Sequence, residues 1–178
     1  MDSEHLVVPP SDMDIRILQR FTPQELTRQV LEAVRSAPLE ALKDIVRTTI
    51  TLEQRPPAEF LCRISESQQL DVLRGCLLVH ILSHGTKVPR AFQLEAILGP
   101  LDGRDVVVSS ATGSGKTLIM ILLLLLRPVE HAILIVPLKR LQQAQLDAFT
   151  VFGIRSVIVN EDTPDDPELW KVSAVDGF

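Results

Sequence analysis

The sequence is poor in cysteine and has no basic excess. Only Cys62 and Cys76 occur among 178 residues, and they form no C-x-x-C pair. The expectation is two reduced, buried thiols in a protein kept inside the cell. Lysine and arginine number 18 against 23 aspartates and glutamates, giving a net charge of −5. A chain that grips nucleic acid usually carries a basic face. Any such grip from these residues alone is therefore expected to be weak and salt-sensitive. The longest intensely apolar run, Leu118–Leu126, has nine residues before Arg127-Pro128 closes it. A bilayer span needs about 20, so the run is expected to be a buried helix and no membrane partner is expected. The acidic start, Met1-Asp2-Ser3-Glu4-His5, does not resemble a signal peptide, which points to a nuclear or cytoplasmic location. There is no internal repeat and no low-complexity tract. The length suits one domain and a small second one.

The segment Asp105-Val106-Val107-Val108-Ser109-Ser110-Ala111-Thr112-Gly113-Ser114-Gly115-Lys116-Thr117 organises the rest. Three consecutive valines suit a strand covered on both faces. Gly113 and Gly115 let the backbone curl so that successive N–H groups converge on an anion. Thr112 and Ser114 complete the loop. Lys116 offers a cation to the β- and γ-phosphates of a nucleotide, and Thr117 a hydroxyl to Mg²⁺. The helix that follows aims its partial positive charge at the same phosphates. Ser110 stands where the usual motif has glycine or alanine. The alternative is an incidental Gly/Ser turn between a strand and a helix.

Upstream, the chain reads as helical. Residues 1–20 are mixed and contain Pro9-Pro10. Thr22-Pro23-Gln24-Glu25 has the form of a capping box with proline at the first helical position, followed by Leu26, Val30, Leu31 and Val34 on one face. Ala37-Pro38 interrupts. A second helix carries Leu39, Leu42, Val46 and Ile50 and stops before Pro56-Pro57. Ser65-Glu66-Ser67-Gln68 is another capping box, opening a third helix with Leu70, Leu73, Leu77, His80 and Ile81 that ends at Gly85. His80 and His84 are one turn apart, a spacing that can hold zinc, but no third ligand lies near. An ordinary helix end is the expected reading.

From residue 86 the pattern changes. Pro89–Leu98 reads as a short helix closed by Gly99-Pro100, and Asp102-Gly103 turns into the Val106 strand. Ala132–Val136 is a second apolar strand ending at Pro137. Leu138–Phe152 is a helix ended by Gly153, Ile154–Val159 a third strand, and Asp166–Trp170 a last short helix. Alternating strands and helices imply an α/β fold with a parallel sheet and right-handed crossovers.

These residues resemble a known family. Residues 86–178 look like the first part of the first RecA-like lobe of a superfamily 2 DEAD/DEAH-box helicase, with the RecQ group of DNA helicases nearest in likeness. Pro89-Arg90-Ala91-Phe92-Gln93 is similar to the adenine-recognising motif upstream of the P-loop, with Arg90 and Gln93 in its key positions; Gln93 precedes Lys116 by 23 residues (116 − 93). Ala111–Thr117 matches motif I. Val136-Pro137-Leu138-Lys139-Arg140-Leu141 resembles motif Ia, which in the family touches the backbone of single-stranded nucleic acid. Gly153-Ile154, Asn160–Thr163 and Leu169-Trp170 also look RecQ-like.

The resemblance implies a P-loop NTPase (RecA-like) α/β lobe, incomplete, at 86–178, preceded by an all-helical region at 1–85. It implies ATP and Mg²⁺ as ligands, bound by Arg90, Gln93 and Thr112 through Thr117, with Thr117 on the metal. It implies nucleic acid along Pro137, Leu138, Lys139 and Arg140, with DNA favoured over RNA and a 3′–5′ helicase as the parent activity. Physical chemistry supports each role separately. A glutamine amide both donates and accepts, as the adenine edge requires. A guanidinium can stack on a base. Lys139 and Arg140 at a helix start can meet phosphates, although an ordinary solvated helix face would look the same.

Hydrolysis needs a further carboxylate for Mg²⁺ and an arginine finger. The sequence contains no Asp-Glu-x-His or Asp-Glu-x-Asp. Val157-Ile158-Val159-Asn160-Glu161-Asp162 has acids after a strand, but Asn160 stands where the metal-binding aspartate belongs, so a polar loop is expected there. The expected function is an ATP-binding, nucleic-acid-associated half-lobe, cut short before motif II, that neither hydrolyses ATP nor unwinds by itself. The alternative is a non-enzymatic interaction protein, with a partner for residues 1–85 and a P-loop no longer in use. A small P-loop kinase would need an arginine-rich lid that these residues do not supply.

Overall fold

The structure is a computed structural model, and it describes residues 23–163. The chain divides into two compact units, residues 1–36 and 37–178. The described part of the first unit is one helix, α1 (Pro23–Ser36), with Glu25 in its first turn and Arg35 in its last. Those charges match the helix dipole. Thr22, the first residue of the expected capping box, lies outside the described residues, as does the short helix expected at 166–170.

The second unit contains α2 (Leu39–Thr49), a 3₁₀ turn (Leu52–Gln54), α3 (Ala58–Cys62), α4 (Glu66–Leu82), α5 (Ala91–Leu101), α6 (Thr117–Leu126) and α7 (Lys139–Val151). The helix α4 is the axis of this unit. It opens on the expected capping box: the Gln68 N–H donates to Ser65 Oγ at 3.2 Å, and the Ser65 N–H donates to Gln68 Oε1 at 3.1 Å. Val72, Leu73, Cys76, Leu77, Leu78 and Val79 are all buried, which is more than one helical stripe can hold. A helix so apolar must be covered on several sides. The covering elements are α2, α5 and α6, each packed against α4. Gly75 marks the crossing with α6, since a Cβ there would lie 2.9 Å from Leu122 Cδ2. Complete burial of each Leu or Val side chain contributes about 1.5–3 kcal/mol.

Two helix ends differ from expectation. After α4 both His84 (φ 52°) and Gly85 (φ 78°) are left-handed, so the turn begins one position before the expected glycine. The His84 N–H donates to the Ile81 carbonyl and the Gly85 N–H to the His80 carbonyl, the paired bonds of a Schellman end. His84 therefore terminates a helix, in line with the expected reading, and no metal-type cluster of His, Cys, Asp or Glu occurs among the described residues. The helix α5 runs through Gly99-Pro100 to Leu101. Proline in the last turn removes one amide donor without stopping the helix. The stop comes at Gly103, where the Arg104 N–H donates to the Gly99 carbonyl at 2.9 Å.

The sheet is the main correction. Val106–Val108, Ala132–Val136 and Ile154–Val159 were expected as three parallel strands, yet no strand is present among the described residues. No backbone hydrogen bond joins these segments. A strand exists only when neighbours take its N–H and C=O groups. The apolar side chains meant for the far face have no layer over them: Val107 is 96% exposed and Ile133 93%. The alternation survives locally, with Leu134 only 39% exposed between Ile133 and Ile135. The strand signal in the sequence is therefore real, but the pairing it requires is not made. No helix among the described residues is long and apolar enough to cross a membrane.

Candidate nucleotide site

The segment expected as a P-loop forms a turn between the Val106–Val108 segment and α6. Gly113 and Gly115 have φ of 78° and 89°, backbone that L side chains rarely adopt. Among the described residues no hydrogen bond uses the N–H of Gly113, Gly115, Lys116 or Thr117. The Ser114 N–H between them is taken by the Ala111 carbonyl at 3.2 Å, which leaves Gly115, Lys116 and Thr117 as three free donors in succession at the start of a ten-residue helix, the kind of nest that takes a phosphate. The Lys116 Nζ folds into the loop and donates to the carbonyls of Ser110 at 2.8 Å and Ala111 at 3.0 Å. The Thr117 side chain is half-buried and its hydroxyl has no protein partner among the described residues. The donor set fits a polyphosphate, with Thr117 Oγ1 as the oxygen available to a phosphate-bound Mg²⁺.

Gln93, expected to read the base, is held by backbone groups in this structure. It is 3% exposed, and both ends of its amide are engaged by backbone. Its Oε1 accepts from the Arg90 N–H at 2.8 Å, and its Nε2 donates to the Gly115 carbonyl at 2.9 Å and more weakly to Ser114 at 3.4 Å. Gln93 thus ties the first turn of α5 to the P-loop. A side chain at Gly115 would place its Cβ 2.7 Å from Gln93 Nε2. Gly115 serves two demands, the positive φ and this close approach. Arg90 is exposed beside the start of α5.

Two contributors were not identified from the sequence. At Ser110, where the usual motif has glycine or alanine, the side chain bonds within the loop: Ser110 Oγ and Ser114 Oγ lie 2.6 Å apart and cross-link its two limbs. A cavity of about 240 Å³ is lined by Gln93, Gly115 and Thr117 together with Lys87 and Phe152. The Lys87 ammonium sits 5.7 Å from the centre of the Phe152 ring, within range of a cation–π contact. A lysine at 87 and a phenylalanine at 152 share no local pattern, so only their juxtaposition reveals the contact.

The four residues expected along nucleic acid lie at the start of α7. Pro137, Leu138, Lys139 and Arg140 are all exposed. Lys139 Nζ is 2.6 Å from Asp162 Oδ2 and 2.6 Å from Glu161 Oε1. These bonds, Asp162 first, raise the Lys139 pKa above its ordinary value. The Asn160–Asp162 stretch is a polar turn, as expected. The Asp162 N–H donates to Asn160 Oδ1 at 3.0 Å, and Asn160 Nδ2 donates to Gln142 Oε1 at 2.9 Å. That closes an Asx-type turn against α7.

Residues 90–172 match the family model of the DEAD/DEAH box helicase. The matched stretch starts at Arg90 and includes the P-loop and α7. Over 87 residues the chain is 40% identical to a probable ATP-dependent RNA helicase DDX52 of Mus musculus, covering 44% of this chain and 14% of that protein. The corresponding protein of Bos taurus is 39% identical over 87 residues, with 44% and 15% covered. ATP-dependent RNA helicase ROK1 of Meyerozyma guilliermondii is 31% identical over 83 residues, with 47% and 13% covered. The chain thus spans about a seventh of the length of these relatives. No solved structure matches. The likeness stands at the level of the DEAD/DEAH box, and the narrower RecQ and DNA expectation finds no support among relatives named as RNA helicases.

Proposed function

We propose that this chain is the nucleotide-binding part of a DEAD/DEAH-box RNA helicase lobe, RecA-like in design, that binds ATP with Mg²⁺ and lies against single-stranded RNA. The observation that carries the reading is the run of free N–H groups from Gly115 to Thr117, with that of Gly113 beside it and Lys116 inside the same loop, in the stretch matched by the family model. Thr112 through Thr117 hold the phosphates, and Thr117 Oγ1 completes the Mg²⁺ shell. Arg90 and Gln93 serve the base. For Gln93 that role requires release of at least one of its two backbone partners. Functionally the chain divides near residue 85, with the preceding helices as a support or a docking face and the remainder as the ATP-binding segment. RNA is favoured over DNA because the relatives carry RNA-helicase names. Hydrolysis is not assigned to these residues, since no cluster of carboxylates suited to a metal occurs among the described residues.

The second reading, an interaction protein whose P-loop is no longer used, draws support from Lys116 and Gln93 both being satisfied by loop carbonyls. Titration with a fluorescent ADP and Mg²⁺ separates the two. Saturable binding that is lost in Lys116→Ala supports the first. A folded chain that binds no nucleotide supports the second.

A further inference from the structure

We propose that the Glu161–Asp162 turn is an acidic latch that occupies the nucleic-acid-facing lysine at the start of α7 and must be displaced when a polyanion binds. The proposal rests on the RNA reading above. Lys139 is the first residue of α7, and its ammonium is held by two carboxylates at once. The turn that presents them is tied in place. Asn160 bonds to Gln142 one turn into α7, and Gln142 Nε2 in turn donates to the Val136 carbonyl at 3.1 Å. The Asn160 N–H is taken by Thr163 Oγ1 at 2.8 Å. The acids are thus carried by an ordered turn, placed opposite the one residue of the expected interface whose charge they can neutralise. Arg140 beside it has no ion-pair partner among the described residues.

The contacts are exposed, with about half of the Lys139 side chain and three quarters of each carboxylate open to water. Pairs of this kind are weak and exchange readily. A phosphate backbone carries many charges and gains by releasing counterions, so it can replace the two acids on Lys139. The latch then sets a threshold that a single-stranded nucleic acid passes and a lone small anion does not.

The test is fluorescence anisotropy of a labelled oligouridylate with the full chain. The double variant Glu161→Gln/Asp162→Asn keeps the shape of the turn and removes both charges. It is expected to bind roughly three- to fivefold more tightly than the parent, with the salt slope steeper by about 0.7. Lys139→Ala added to the double variant should abolish the gain. A control pair of neutralised acids elsewhere, Glu53→Gln/Glu59→Gln, should give a smaller gain that Lys139→Ala leaves in place. Equal gains from both pairs, or a gain that survives Lys139→Ala, would overturn the latch as a mere change in net charge. Unchanged affinity in Glu161→Gln/Asp162→Asn, with binding still weakened by Arg140→Ala, would overturn the latch and leave the RNA reading standing. No binding by the parent or by any variant would overturn both.

Discussion

The side-chain amide nitrogen of Gln93 lies 2.9 Å from the carbonyl oxygen of Gly115, across 22 residues of sequence. This bond makes the start of α5 part of the phosphate loop. It also means that the conformation of the Arg90–Gln93 stretch and the shape of the glycine loop are not independent. Gln93→Glu would set a carboxylate against the Gly115 carbonyl and leave its buried donor role unfilled. It should destabilise the chain by about 1–3 kcal/mol in urea denaturation and weaken ADP binding together with stability. Gln93→Ala should also narrow the preference for adenine over guanine nucleotides. Equal selectivity before and after would remove Gln93 from the base site.

Lys116 should separate binding from folding. Its ammonium contacts only exposed loop carbonyls, so Lys116→Ala should shift stability by no more than about 0.5 kcal/mol. Nucleotide binding should be lost with the circular-dichroism spectrum unchanged. Retained affinity for fluorescent ADP would remove Lys116 from the phosphate site.

The core around α4 should respond to volume. Leu77 is fully buried, and Leu77→Ala should cost about 2–5 kcal/mol, read from the urea midpoint. Gly75→Leu should also destabilise, by about 1–3 kcal/mol, because the Cβ alone already meets Leu122 at 2.9 Å. Tolerance of leucine there would mean that α4 and α6 are not closely packed in solution.

The two thiols should differ. Cys62 is exposed and Cys76 is buried, and burial pushes the Cys76 thiol up to about 12. At pH 8 an aromatic disulfide reagent should modify one thiol in the native chain and two in denaturant. The raised pKa favours the neutral thiol in the folded state. Its contribution to stability is therefore intact below the unfolded value of 9.0 and is lost as pH rises from there toward 12. Cys76→Ala should flatten that alkaline loss, and an unchanged alkaline profile would place its origin elsewhere.

The helices and the loop were legible in the sequence because their signals are local. A capping box spans four residues, and Ser65 and Gln68 made the bonds their spacing demanded. Gly113 and Gly115 required a curled backbone whatever surrounded them, and Lys116 and Thr117 followed at fixed distance. The nine apolar residues of Leu118–Leu126 form the expected helix, with Ile119, Ile121, Leu122 and Leu125 buried and the other five half-buried. The strands were not decided in this way. Val107, Ile133 and Val157 have the composition of a sheet, but a sheet is made by partners, and exposed side chains with unpaired backbone show that local preference cannot supply them. The expected domain break near residue 85 likewise came from a change in composition, whereas the packing of α4 onto α5 and α6 joins the residues on either side of it. Gln93 read as a base-binding residue from its motif, and only the tertiary structure brought it to Gly115. The same is true of Ser110 with Ser114, Lys87 with Phe152, and Lys139 with the acids at 161 and 162. Sequence determined which residues could bond. Proximity across the fold, which no spacing encodes, decided which of them did.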